Sequence, residues 1–283
     1  ASTTKIMTAL VALEYACPDD IVTVDKRAVG IEGSSVYLKE NEVLTVGELL
    51  YALMLRSGND CAVAIALHIS QSVENFAMLM NDMARRMGLK DTNFVNPHGL
   101  HDDGHYTSAY DLGVISCAAM QNPVFRQIVS AKRIYIGRGE NRRLLINKNK
   151  LLNMYSLATG VKIGYTKKAG RCFVGSAEQN GVSLVAVVLK CGPMFEDAKA
   201  LLSKGLDNLH MKLLVPCDKV CAVTWKRGKP TYYYAKGGYY YPFFEGENEK
   251  TVKEVVYDEK EKCYKLTVWL GKQLIFSQKL YTI

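Results

Sequence analysis

Apolar residues crowd the first sixteen positions with hardly a polar face among them. Ile6, Met7, Leu10, Val11, Leu13 and Tyr15 recur too densely for a one-sided helix, so residues 2–16 read as a buried helix. The alternation at Val22 and Val24 predicts a short strand. Helical patterns follow over 46–56 and 60–69, split by the tight break Ser57-Gly58-Asn59. Residues 73–87 are amphipathic and stop at Gly88, a C-cap residue free to take positive φ. The loop signals Asn96-Pro97-His98-Gly99 and Asp102-Asp103-Gly104 precede another helix over 108–120.

Beyond that point the period changes. Residues 128–146 are basic and mixed, and predict two strands around Gly137-Arg138-Gly139. A strand region opens over 162–165. The runs 171–178 and 182–191 predict a hairpin across Gln179-Asn180-Gly181, because a type I′ turn needs positive φ at both central residues. Residues 195–210 predict a helix that packs through Ala198, Leu201, Leu202, Leu206 and Leu209. From about Leu213, Tyr and Val dominate. Turns are expected at Lys226-Arg227-Gly228, Gly237-Gly238 and Gly246-Glu247-Asn248, and strands over 252–257, 264–270 and 274–280. The reading is a mixed α and β domain over 1–212 followed by a β-rich domain over 213–283.

Composition sharpens this only in places. Hydrophobic residues make up 48% of the 283 positions, which excludes a disordered chain. The net charge of +8 favours polyanions without choosing among nucleic acid, anionic membrane and anionic wall polymer. No apolar run approaches the roughly 18 residues that cross a bilayer. No signal peptide is readable in a chain that opens on Ala1. Eight cysteines include no C-x-x-C pair, which argues against a zinc ribbon, and their spacing favours free thiols over a disulfide framework. Cys61 and Cys117 read as small core residues and Cys172 as packed on a sheet. His98, His101 and His105 lie close together, but structural hydrogen bonding is the favoured reading over metal ligation. The basic stretch 132–150 reads as a solvated face, and the tyrosine runs 232–234 and 239–241 as strand residues around a small core.

Three short constellations carry chemistry. Ser2 and Lys5 sit at i and i+3, so a helix brings them to one face, and a lysine of lowered pKa can activate a serine. Ser2 also stands at a helix N-terminus, where free N–H groups suit an oxyanion. Ser57 and Asn59 put a hydroxyl and an amide on one loop, suited to relaying a proton and holding a peptide carbonyl. Lys162 and Gly164 put a cation for a carboxylate beside a residue that lets substrate lie against a strand edge. Each alone is weak. S-x-x-K, then S-x-N, then K-T-G in this order mark penicillin-binding proteins and serine β-lactamases, and Lys162-Ile163-Gly164 stands in the place of the third.

The resemblance extends around these motifs, through ASTTKIMTA at 1–9, LLYALMLRSGND at 49–60, NFVNPHGLHDDGHYTSAYDL at 93–112 and GVKIGYTKKAGRC at 160–172. The chain resembles the low-molecular-mass serine D-alanyl-D-alanine carboxypeptidases over residues 1 to about 210, and less specifically beyond. That resemblance implies a β-lactamase/transpeptidase-like α+β fold: an antiparallel sheet flanked by helices, a helical lobe, and a small C-terminal β domain. It implies Ser2 as nucleophile, Lys5 as general base, Ser57 as proton relay and Asn59 as a substrate-binding amide. Lys162 would orient the terminal carboxylate, and the N–H groups of Ser2 and Tyr165 would form the oxyanion hole. Gly164 and Thr166 complete the expected substrate-binding set.

The implied substrate is a peptidoglycan stem peptide ending in D-Ala-D-Ala, with β-lactams as inhibitors, no nucleic-acid partner, no metal and no organic cofactor. An extracytoplasmic protein is expected. No C-terminal amphipathic anchor is evident before Ile283, so any membrane association would come through a segment outside this chain. Family members carry sheet strands ahead of the nucleophile helix, so the sequence reads as part of a longer chain. Ile163 stands where the family usually has threonine, and loss of one hydrogen bond to a charged group costs about 1.5–3 kcal/mol; Tyr165 or Thr166 would have to compensate. Ile163 motivates a rival reading, a penicillin-binding or peptidoglycan-binding scaffold with impaired turnover. A serine β-lactamase is a weaker rival, since no glutamate is identifiable as its water activator.

Overall fold

The computed structural model describes residues 1–217, 219–226 and 228–282. The expected turn at 226–228 includes Arg227, which lies outside the described residues, as do Asp218 and Ile283. The chain divides into two compact units, one of residues 1–178 and 183–203, the other of residues 179–182 and 204–283.

In the first unit a 3-10 turn, Ser2–Thr4, leads into α1 (Lys5–Tyr15). The helix has no polar face because Ile6, Met7, Ala9, Val11 and Ala12 are all buried. Strands β1 (Ile21–Thr23) and β2 (Val43–Thr45) pair antiparallel. Next, α2 (Val46–Tyr51) opens on a capping box: Thr45 Oγ1 accepts from the Glu48 N–H, and the Glu48 carboxylate accepts from the Thr45 N–H. Helices α3 (Asn59–Ser70) and α4 (Val73–Arg86) follow, and Gly88, at φ 71°, takes the left-handed conformation expected of a C-cap. Both α3 and α4 pack against α1.

Two helices follow in close succession, α5 (Ala109–Gln121) and α6 (Pro123–Ser130). A hairpin, β3 (Arg133–Ile136) with β4 (Arg143–Ile146), leads through the short α7 (Leu151–Met154) to a three-stranded sheet. Its strands are β5 (Ala158–Thr166), β6 (Gly170–Gln179) and β7 (Val182–Val188), ordered β5-β6-β7. The last two meet at Asn180 and Gly181, with φ 51° and 79°, as an Asn-Gly hairpin requires. Helix α6 packs on β5, and α8 (Met194–Asn208) follows the sheet.

The second unit is β-rich. Strands β8 (Leu209–Val215), β9 (Val220–Lys226), β10 (Lys229–Tyr234), β11 (Tyr239–Phe244), β12 (Thr251–Asp258), β13 (Cys263–Leu270), β14 (Gln273–Lys279) and β15 (Tyr281–Thr282) form three small sheets. Their orders are β11-β8, β15-β10-β9 and β12-β13-β14. Leu214, Val215, Phe243, Leu266 and Val268 make the core. The tyrosines alternate as strand geometry demands: Tyr233 is buried against the Tyr264 ring, while Tyr232 is exposed.

Several sequence expectations need correction. Residues 128–130 belong to α6 rather than to a strand, because Asn122 caps a helix there through the N–H groups of Val124 and Phe125, with Pro123 at its first position. Cys117 is exposed rather than in the core. Cys17, Cys61, Cys117, Cys172, Cys191, Cys221 and Cys263 are free thiols, in line with the spacing rather than against it. The basic stretch 132–150 is not wholly a solvated face: Arg143 is ion-paired with the buried Glu42, and Lys148 is only partly exposed.

Candidate active site

Lys5 is completely buried at the first turn of α1. Its Nζ lies 3.1 Å from Ser2 Oγ, 2.7 Å from Asn59 Oδ1 and 2.6 Å from the His98 carbonyl oxygen. Burial pushes its pKa well below the ordinary lysine value, and the neighbouring Lys162 cation pushes the same way. A neutral amine has two N–H donors and one lone pair. Asn59 Oδ1 and the His98 carbonyl can accept the two hydrogens, which leaves the lone pair to accept from the Ser2 hydroxyl. Three neighbours thus match the three valences a general base needs.

The second motif owes its position to an irregular helix end. After Tyr51 the helix widens into a π-helical turn, Ala52–Arg56, and Ser57 then takes the left-handed conformation at φ 68°. Such turns and such a φ for a buried serine are uncommon, and they concentrate at functional sites. Asn59 follows at the start of α3. Its Oδ1 accepts from Lys5, its Nδ2 donates to the Glu32 carbonyl at 2.5 Å, and its backbone N–H donates to the Ser34 carbonyl at 2.7 Å. Asp60 anchors the same 32–38 loop. Its buried carboxylate accepts from Ser35 Oγ and from the N–H groups of Val36, Leu38 and Cys61.

The third motif lies along β5. A Cβ on Gly164 would stand 3.0 Å from Thr3 N and 3.1 Å from Ser2 N, so only glycine lets the strand run this close to the Ser2 backbone. Ser2, Ser57, Gly164 and Tyr165 all line one cleft of about 290 Å³. Ile163 lines it too, whereas Lys162 is buried and donates from Nζ to the Ile163 carbonyl at 3.1 Å. Burial, reinforced by Lys148, lowers the Lys162 pKa to about 7. Thr166 ends β5, and its hydroxyl accepts from the Ala169 N–H in the turn that follows. Of the sequence-derived set, then, four residues form cleft wall, Lys5 and Asn59 stand behind Ser2, and Lys162 and Thr166 hold backbone partners. The sequence reading passed over Ser34, Lys148, Arg171 and Met194, which also line the cleft. No periodicity or motif links these four; the fold alone assembles them.

The histidines serve structure. His98 Nδ1 accepts from the Leu100 N–H at 3.2 Å. His105 Nδ1 accepts from the Val95 N–H at 3.0 Å, which places its proton on Nε2, 2.8 Å from Thr4 Oγ1. Burial lowers both pKa values to about 4, so both rings are neutral at ordinary pH. The loop they brace delivers the His98 carbonyl to Lys5, and Asn96 Oδ1 holds it by accepting from the Gly99 N–H at 2.7 Å.

The chain is similar to several known proteins. The D-alanyl-D-alanine carboxypeptidase DacF of Bacillus subtilis is 35% identical over 213 residues, 73% of this chain and 54% of its own length. DacB2 of Mycobacterium tuberculosis is 35% identical over 209 residues, 71% of this chain and 72% of its own. The chain spans about half the length of several curated relatives it matches. Among solved structures, penicillin binding protein 5 from Haemophilus influenzae superposes with a TM-score of 0.79 at 27% identity, covering 100% of this chain and 89% of that one. A Streptomyces K15 DD-transpeptidase mutant superposes with a TM-score of 0.66 at 32% identity, covering 72% of this chain and 86% of that one. The fold is therefore the mixed α and β fold of penicillin-binding proteins and transpeptidases. A family described as D-alanyl-D-alanine carboxypeptidase matches residues 1–192, more than half the chain, and the chain belongs to that family.

Proposed function

We propose that the protein is a serine D-alanyl-D-alanine carboxypeptidase that removes the terminal D-alanine from peptidoglycan stem peptides and is acylated by β-lactams. The observation that carries this reading is the buried Lys5 amine at 3.1 Å from Ser2 Oγ, with its other two neighbours both acceptors. Lys5 takes the Ser2 hydroxyl proton as Oγ attacks the carbonyl carbon between the two D-alanines. The N–H groups of Ser2 and Tyr165 hold the resulting oxyanion. The tetrahedral intermediate then breaks its C–N bond. The proton reaches the leaving amine through the Ser57 hydroxyl, and Asn59 steadies both Lys5 and the substrate's peptide group. Lys162 orients the substrate's terminal carboxylate. Water attacks the Ser2 ester, and the stem leaves one D-alanine shorter with Ser2 restored. A β-lactam follows the same path to a ring-opened ester, and no metal or organic cofactor enters the scheme.

Residues 1–212 carry this activity, with 213–283 as a β-rich C-terminal domain. The substrate places the protein outside the cytoplasmic membrane. Among the described residues no single helix is long and apolar enough to cross a membrane. Incubation with a D-Ala-D-Ala peptide should release D-alanine, and a fluorescent penicillin should map to the peptide containing Ser2. Label on another serine, or no label and no release under saturating conditions, would overturn the reading.

A further inference from the structure

The cleft beside Ser2 carries two cations that none of the three motifs includes. Lys148 and Arg171 both line it, and no carboxylate stands among the described residues that do. Lys148 follows β4, held by its backbone N–H on the Leu55 carbonyl at 3.1 Å, close in sequence to Ser57. Its Nζ donates to Ser34 Oγ at 3.3 Å. Arg171 lies on β6 directly opposite Tyr165, so the two side chains share a face of the sheet. One of its N–H groups donates to the Gly192 carbonyl at 3.3 Å, and a guanidinium has five donors in all. Among the described residues neither cation is ion-paired, although Arg143, in the same basic stretch as Lys148, is paired with Glu42.

Such a wall favours a negatively charged ligand. Lys148 stands close enough to the buried Lys162 to lower its pKa, Arg171 is exposed to solvent, and an anion in the cleft would be attracted by both side chains that line it. The third motif supplies little of that attraction by itself. Lys162 is turned to the Ile163 carbonyl, its charge is weakened by burial, and Ile163 brings no hydroxyl to the cleft.

The geometry points to Arg171 and Lys148 as specificity-determining residues that bind the carboxylate of the acyl donor, Arg171 through its planar fork and Lys148 as a point charge. The inference rests on the acyl-transfer reading above and names which side chains hold the donor's negative end.

Binding to the Ser2→Ala protein tests it without needing turnover. The probes are N-acetyl-D-alanyl-D-alanine and its C-terminal amide, compared by calorimetry. The acid should bind about tenfold or more tightly than the amide, as a hydrogen-bonded charge pair in a cleft allows. Adding Arg171→Gln should cut that preference to about threefold or less, and adding Lys148→Met should cut it measurably. Arg171→Lys should restore part of it. An acid and amide bound alike by Ser2→Ala would overturn the proposal. A full preference surviving either variant would overturn that residue's part. D-Alanine release by the unmutated protein reports separately on the reaction, so loss of the reaction and loss of this inference cannot be mistaken for each other.

Discussion

Asn59 Oδ1 stands 2.7 Å from Lys5 Nζ while the same amide's nitrogen donates to the Glu32 carbonyl, so one side chain fixes both Lys5 and the loop that faces it. Lys5 is thereby held by the second motif, and the first two motifs share one hydrogen-bond network.

Removing the base should be far worse than removing the other buried lysine. With an uncharged thioester donor, Lys5→Ala should lose acylation by about 10²–10⁴-fold. Lys162→Ala should lose much less with that donor, since it has no carboxylate to orient. Stopped-flow acylation of both variants checks this, and equal losses would contradict it.

Lys162 also predicts a pH dependence. Its ordinary pKa is 10.5 and its folded value is about 7, so folding sheds a proton between those limits. The unfolded chain binds more protons there, and stability therefore rises with pH across about 7 to 10.5; below 7 the full cost of the buried charge is present. Lys162→Met removes that cost. Its Tm advantage over the unmutated protein should be largest near pH 6 and should fade toward pH 10. The same variant removes a cation that lowers the Lys5 pKa, so the midpoint of any residual acylation profile should move to higher pH. A Tm difference independent of pH would refute the first expectation.

Gly164→Ala should injure catalysis more than folding. The new Cβ would meet the backbone nitrogens of Ser2 and Thr3 at 3.0–3.1 Å, and the strand must retreat from the nucleophile. A displacement of even part of an ångström costs up to about 10²-fold in rate. Thermal melting and penicillin acylation, measured side by side, should show a small Tm change and a large loss of rate.

Ile163→Thr should speed the reaction. In a regular strand residues 162 and 163 face opposite ways, and here Ile163 faces the cleft while Lys162 is buried. A hydroxyl at 163 would face the substrate, and the β-branch preserves the strand. A rise of about tenfold in kcat/KM on a D-Ala-D-Ala acid is expected, shrinking on the amide. Absence of any rise would mark Ile163 as neutral.

Asp60→Ala should destabilise the unit that holds the site. It strands the N–H groups of Val36 and Leu38, both buried, at a cost of about 1–3 kcal/mol for each unsatisfied group. Urea unfolding should show the loss, and the 32–38 loop should exchange its amide hydrogens faster.

Much of this was legible in the sequence because short-range rules decide it. The i and i+3 spacing alone joins Ser2 to Lys5, and Asn180-Gly181 alone sets its hairpin. Helix α6 is not legible in the pattern, because Ile128 and Val129 look equally at home in a strand and its start depends on the Asn122 cap. The sequence alone makes Lys148 look solvated, because nothing local announces the Leu55 carbonyl that holds its backbone, 93 positions away. The burial of Lys162 also escaped a reading by motif, since a lysine's exposure is set by what packs over it.

The π-helical turn at Ala52–Arg56 has a consequence for tolerance to insertion and deletion. A π turn accommodates one residue more than an α turn in the same rise. Deleting a residue there would let the helix relax to regular winding, but would take away the widened turn whose end sets Ser57 in its left-handed conformation. Ser57 would then leave the cleft. In this segment the sequence length that makes the most comfortable helix and the length that presents the serine differ by one, so a chain screened only for heat resistance would be drawn toward the inactive length.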